Sequence, residues 1–143
     1  GKQVLIYQFL KDNSSSERKV MDTIPGITCI KGPDKVQFIR NMTQEEKEEN
    51  RRQNDQKLED IIKIAGEYDV LILDEALYAI GREQLSEELL IRYLKERPWW
   101  QEVILTGRDP SREMRALADY CIHIQKEKHP FDQGLCSRKG IEY

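Results

Sequence analysis

Histidine and cysteine are scarce in this sequence. Its 143 residues include two histidines, His123 and His129, and three cysteines, Cys29, Cys121 and Cys136. An odd number of cysteines at wide, unpatterned spacing is neither a disulfide framework nor a zinc motif. No cysteine has a neighbouring pattern that would lower its pKa, so a thiol nucleophile is not supported. Cys121 and His123 would share one face of a strand, where a small core cysteine and an ordinary histidine are a simpler reading than a metal site. Long apolar runs are also missing. None approaches the roughly 20 residues that span a bilayer. The first run, residues 4–10, is short and holds Tyr7 and Gln8, unlike a signal peptide. Nor is there an excess of positive charge: 23 Lys plus Arg stand against 26 Asp plus Glu, a net −3. That balance gives no support for nucleic-acid binding through a basic surface. A cytoplasmic protein with no membrane and no nucleic-acid partner is expected.

The chain has 143 residues, 38% of them hydrophobic. That length suits one domain with a real hydrophobic core, so residues 1–143 read as a single α/β domain. Four short apolar runs, rich in β-branched residues, read as strands: residues 3–9, 68–74, 101–106 and 120–124. The middle two are nearly continuous, which suits a parallel sheet covered on both faces. A weaker run, residues 27–30, suits a short fifth strand. Leu85, Leu89, Leu90, Tyr93 and Leu94 recur at helical spacing between a start at Ser86 and a stop at Pro98. Residues 111–118 open a second helix after Asp109-Pro110. In the stretch 43–67, Ile61, Ile62, Ile64 and Ala65 suit docking on the sheet. Residues 44–57 contain no apolar residue and read either as a solvated helix or as a mobile segment. Strands alternating with helices predict a three-layer α/β fold with a mostly parallel sheet.

Ligands of such sheets sit at the carboxyl ends of the strands. There the sequence offers Gln8 and Lys11 after the first run, Asp74-Glu75 after the second, Thr106-Gly107-Arg108 after the third, and Lys126, Lys128, His129 and Asp132 after the fourth. An apolar strand ending in Asp-Glu is similar to the Walker B element of nucleotide-binding proteins. A carboxylate on a rigid strand end orients a magnesium ion, which in turn clamps phosphates. Glycine permits close backbone approach to a ligand, and arginine presents a planar fork to phosphate or ribose oxygens. A helix-entry turn at 74–75, a surface turn at 106–108 and a plain basic loop at 126–132 are the structural alternatives. The phosphate-cradling pattern Gly-x-x-x-x-Gly-Lys-Ser/Thr is absent, since none of the eight glycines opens it.

These blocks together resemble the P-loop-type ATP:corrinoid (cob(I)alamin or cob(I)yrinic acid a,c-diamide) adenosyltransferases. The resemblance rests on Val4-Leu-Ile-Tyr-Gln-Phe-Leu-Lys11, on residues 68–79, on Val103-Ile-Leu-Thr-Gly-Arg108, on Leu117-Ala-Asp119, and most specifically on the tail, residues 128–143. It implies a P-loop NTPase or RecA-like fold. It also implies transfer of the 5′-deoxyadenosyl group of ATP to the Co(I) of a corrinoid, with triphosphate released. The substrates would be ATP and the corrinoid, with Mg2+ as cofactor, and the chain would form a homodimer. By motif position, Asp74 and Glu75 would hold the magnesium, and Glu75 and Arg108 would be catalytic. Gln8, Lys11, Thr106, Gly107, Arg108, Lys128, His129 and Asp132 would bind nucleotide, and Phe38 would bind corrinoid. The family has a tryptophan where this chain has Arg40. It also begins with a strand, a glycine-rich phosphate loop and a helix ahead of the segment matching Lys2 onward. Starting after all three implies a fragment of a longer protein, a paralogue that lost ATP binding, or a missing part that exists elsewhere. The alternative function is therefore an inactive nucleotide- or corrinoid-binding or interaction module.

Overall fold

The structure, a computed structural model, describes residues 1–14, 16–136 and 138. Four parallel strands form its sheet: β1 (Val4–Gln8), β2 (Ile27–Cys29), β3 (Val70–Asp74) and β4 (Glu102–Leu105). Their spatial order is β2-β1-β3-β4, so β1 and β3 are central and β4 is an edge. Helices connect them: α1 (Ser16–Met21), α2 (Gln44–Ala65), α3 (Ala76–Gly81), α4 (Glu87–Glu96) and α5 (Arg112–Leu117). An all-parallel sheet flanked by helices is the expected α/β fold, because parallel neighbours need crossover connections.

Strand alternation decides where the core sits. Leu5, Tyr7 and Phe9 of the β1 segment lie on the same face as Leu71 and Leu73 of β3, since Leu5 pairs with Leu71 and Tyr7 with Leu73. These five form one buried cluster with Leu58, Ile61 and Ala65 of α2, Leu90, Ile91 and Tyr93 of α4, and Met114 of α5. The opposite face is less covered. Ile6 is buried there, whereas Ile104 of β4 is 47% exposed. Cover on both faces, expected from the continuous apolar runs, thus holds at the central β1 and thins toward β4, where Val103 and Leu105 are half-buried and Ile104 is exposed. Ile64 also departs from expectation: it points away from the sheet and is 40% exposed, while Ile61 and Ala65 dock.

The polar stretch 44–57 is part of α2, a continuous helix on which Leu58 is the first buried residue. Two devices hold a helix that buries nothing in its first half. Thr43 and Glu46 form a reciprocal capping box: the Glu46 amide donates to Thr43 Oγ1 at 3.2 Å and the Thr43 amide donates to Glu46 Oε2 at 2.7 Å. Farther along, Asn50 donates to the Gln84 side chain at 2.7 Å and Asn54 to the Gln84 carbonyl at 2.9 Å. Gln101, nearly fully buried, ties three elements together. Its amide donates to the carbonyls of Ala65 and Tyr68, and its oxygen accepts from the Tyr93 hydroxyl.

Residues 120–124 correct an expectation. They form no strand, and Tyr120, Ile122 and Ile124 are each more than four-fifths exposed. Cys121 is exposed rather than a core cysteine. An extended segment needs a hydrogen-bonded neighbour to become a strand. None of the four strands of the described residues lies beside this one.

Candidate functional site

The carboxyl ends of β1, β3 and β4 meet at one edge, and the strand register dictates which side chains touch. Gln8 pairs with Asp74, and Leu73 with Leu105, so Thr106 follows beside Asp74. Asp74 accepts from three sides. Thr106 Oγ1 donates to Oδ1 at 2.6 Å; Gln8 Nε2 and Lys11 Nζ donate to Oδ2 at 3.2 and 3.0 Å. Lys11 also lies 3.5 Å from Glu17. Burial pushes the Asp74 carboxyl up, but the Thr106, Lys11 and Gln8 donors outweigh it and hold the group below its ordinary value. Burial pulls Lys11 down, and its Asp74 and Glu17 partners more than compensate, so its ammonium is held above its ordinary value.

The backbone at this edge is tightly turned. Leu10, Glu75 and Asp109, one after each of the three strands, have φ of 57°, 58° and 50°. Left-handed non-glycine residues cost free energy and gather where a structure over-determines them, commonly at functional sites. Glu75 is fixed by its amide, which donates to Thr106 Oγ1 at 2.9 Å. Thr106 therefore links both acidic residues, accepting from Glu75 and donating to Asp74. Gly107, at φ +136°, lies so close to α3 that a Cβ would sit 2.5 Å from the Tyr78 amide nitrogen and 2.8 Å from Leu77 Cβ. Arg108 reaches back over the Tyr78 ring, 6.0 Å from its centroid.

Gln8, Lys11, Asp74, Glu75, Thr106, Gly107 and Arg108 are thus brought to one edge. Lys128, His129 and Asp132 are not joined to it. Among the described residues the hydrogen bonds of 126–135 are local: Lys126 pairs with Asp132 at 2.7 Å, and His129 Nδ1 accepts from the Phe131 amide. Of the distinctive tail, Ser137 and residues 139–143 lie outside the described residues. Phe38 is 70% exposed and carries the Arg40 guanidinium 5.4 Å above its ring centroid. A groove of about 580 Å³ is lined by Gly32, Pro33, Val36, Gln37 and Met42 together with the first half of α2, and Phe38 is not among its lining residues. Its lining includes Tyr7, Leu10, Val36 and Met42 with Lys35 and Glu49. Burial raises the Tyr7 hydroxyl to about 12, so it stays protonated there. This groove was missed in the sequence, because its walls come from segments too far apart for any local motif to join. Tyr78 was missed for the same reason.

A parallel α/β sheet whose central strand ends in an aspartate held by lysine and threonine, beside a Thr-Gly-Arg turn, defines a protein with a Walker B-like strand end. The sequence model of the family described as ATP:corrinoid adenosyltransferase BtuR/CobO/CobP matches residues 1–143. The chain belongs to that family. It is similar to the corrinoid adenosyltransferase of Escherichia coli (strain K12), 39% identical over 75 residues, covering 52% of this chain and 38% of that protein. Identity and coverage are the same for the corrinoid adenosyltransferase CobA of Salmonella typhimurium (strain LT2). A corrinoid adenosyltransferase of Sinorhizobium sp is 31% identical over 75 residues, 52% of this chain and 35% of that protein. The chain therefore spans well under half the length of these curated relatives in the matched segment. No helix of the described residues is long and apolar enough to cross a membrane.

Proposed function

We propose that this chain supplies the carboxylate–guanidinium edge of an ATP:corrinoid adenosyltransferase. The observation that carries the reading is the Asp74–Lys11–Thr106 cluster beside Arg108, in a chain belonging to that family. In the reaction, the Co(I) electron pair attacks the 5′ carbon of ATP, a cobalt–carbon bond forms, and the carbon–oxygen bond breaks. Triphosphate leaves with that bond's electrons. The leaving group gathers negative charge, so preorganised cations beside it lower the barrier. Arg108 and Lys11 are the cations proposed to act at this edge, where Glu75 and Gly107 follow the ends of β3 and β4.

Magnesium fits these donors. It prefers a few carboxylate or hydroxyl oxygens and takes its remaining ligands from phosphates and water. Asp74 and Thr106 offer such oxygens once Lys11 swings from Asp74 Oδ2 toward phosphate. Bound there, the ion would neutralise charge on the triphosphate. Among the described residues no group of three or more acidic, histidine or cysteine side chains stands ready to chelate a metal without a ligand. The groove lined by residues from 32–37, Met42 and α2 is of a size used for cofactors and is the proposed corrinoid seat, with Phe38, next in sequence to the lining Gln37, proposed to reach its rim. Lys128, His129 and Asp132 are proposed to close over the nucleotide. A cytoplasmic homodimer is proposed as well, supported by the open β4 edge and the exposed Ile104.

One observation favours the second reading, a binding module without turnover: both Asp74 oxygens are already satisfied by donors of this chain. Products separate the two. The protein incubated with ATP, Mg2+ and chemically reduced cob(I)alamin should yield adenosylcobalamin and inorganic triphosphate in equal amounts. Nucleotide binding with no product supports the module, and ADP with phosphate would contradict both readings.

A further inference from the structure

Tyr78 holds two cations on one ring. The Arg82 guanidinium lies 5.0 Å from its centroid and that of Arg108 lies 6.0 Å away. The two arginines arrive from different elements. Arg82 caps the carboxyl end of α3, and Arg108 belongs to the turn after β4. That turn is fastened to the start of α3. The Leu77 amide donates to the Thr106 carbonyl at 3.1 Å, and Gly107 presses on the Tyr78 amide. The backbone thus delivers Arg108 to the ring rather than leaving the contact to a free surface side chain. Among the described residues neither guanidinium is in an ion pair with a carboxylate. Two guanidinium groups held on one ring and left without a carboxylate partner keep their planar forks open to acceptor oxygens, and a polyanion that reaches both neutralises them.

We propose that Tyr78 is a positioning residue that holds Arg82 and Arg108 together as a clamp for a polyphosphate, with Arg82 as a second phosphate contact. The inference rests on the proposed reading of this edge as the nucleotide's phosphate end and adds two residues to it. The chemistry selects for a chain of phosphates over a single carboxylate, because two planar forks need acceptor oxygens on more than one group.

Two measurements test it, the first needing no ligand. In 15N-labelled protein, the Nε–Hε resonances of Arg82 and Arg108 should be displaced by the Tyr78 ring current. They should stay so in Tyr78→Phe and return to ordinary positions in Tyr78→Leu, with the backbone spectrum reporting that the variant is folded. In the second, calorimetry with inorganic triphosphate should show Tyr78→Leu weakening binding by about 2- to 5-fold, the size of one exposed cation–π contact, and Arg82→Ala weakening it by about 10-fold or more, the loss of a charge-assisted phosphate contact. Tyr78→Phe should bind as the parent does. Undisplaced resonances in the parent protein overturn the positioning role. Equal triphosphate affinity in the parent and Arg82→Ala overturns the clamp, and Arg82, being exposed, is a safe site for folding. Displaced resonances and triphosphate binding without adenosyl transfer leave the clamp standing and count against the proposed enzyme alone.

Discussion

Replacing Gly107 with alanine should be among the most damaging single-methyl changes in this chain. The added Cβ would lie 2.5 Å from the Tyr78 nitrogen, 2.8 Å from Leu77 Cβ and 3.1 Å from the Leu77 carbonyl carbon. Two of these neighbours are backbone at the start of α3, which the buried Ala76 and Ala79 anchor to the core. The residue also sits at φ +136°, a conformation that alanine resists. Backbone strain of this kind costs about 1–3 kcal/mol, and forcing an extra carbon into packed surroundings costs a further ~1–3 kcal/mol. The sum is about 2–6 kcal/mol, a large share of the ~5–15 kcal/mol that keeps a domain folded. In urea, with a slope of about 2 kcal/mol per molar, the unfolding midpoint should fall by roughly 1–3 M. Gly66→Ala is the control. Gly66 has helical φ of −63° and nothing within 4 Å of a built Cβ, so alanine there should leave the midpoint unchanged or raise it slightly. If Gly107→Ala unfolds within about 0.5 kcal/mol of the parent, the usual range of harmless surface changes, the seating of the Thr106–Arg108 turn on α3 is wrong.

Other changes have equally definite outcomes. Asp74, depressed in the folded state, contributes stability that is present above its ordinary value of 3.8 and lost as pH falls through the lower folded value. Lys11, raised in the folded state, contributes stability that is present below 10.5 and lost as pH rises through its higher folded value. Lys11→Met should therefore raise the Asp74 pKa in a carboxyl-carbon NMR titration and flatten the acid limb of the stability profile; an unmoved titration would refute the pairing. Thr43→Ala removes one arm of the capping box and should cost about 1 kcal/mol, with helical circular dichroism lost from the first turns of α2. Gln101→Leu strands the Tyr93 hydroxyl and the Ala65 and Tyr68 carbonyls and should cost about 1–3 kcal/mol by urea denaturation.

Local pattern carried most of the fold. The apolar runs at 3–9, 68–74 and 101–106 hold β1, β3 and β4, and the start and stop residues Ser86 and Pro98 bracket α4. The same reading failed at 120–124, where β-branched composition is present but a neighbouring strand is not, and pairing is a non-local property. The stretch 44–57 lacks an apolar stripe, yet Thr43 and Glu46 carried a readable helix-start signal. Its support from Gln84, some thirty residues away, left no trace in the local sequence. The candidate site divides along the same line. Asp74, Thr106 and Gly107 announce themselves at strand ends, because a parallel sheet gathers its carboxyl edges in one place. Tyr78 and Arg82 do not, because their meeting with Arg108 depends on how one turn seats on one helix.

The central claim is that the edge formed by Asp74, Lys11, Thr106 and Arg108 binds the phosphate end of a nucleotide. Calorimetric titration of the protein with ATP and Mg2+, repeated with Asp74→Asn and Arg108→Ala, tests it most directly. The account predicts saturable binding to the parent, weakened by about 10-fold or more in each variant, as expected for losing a charge-assisted contact. Binding that is equally tight in all three proteins, or no heat up to millimolar ATP in the parent, would contradict it.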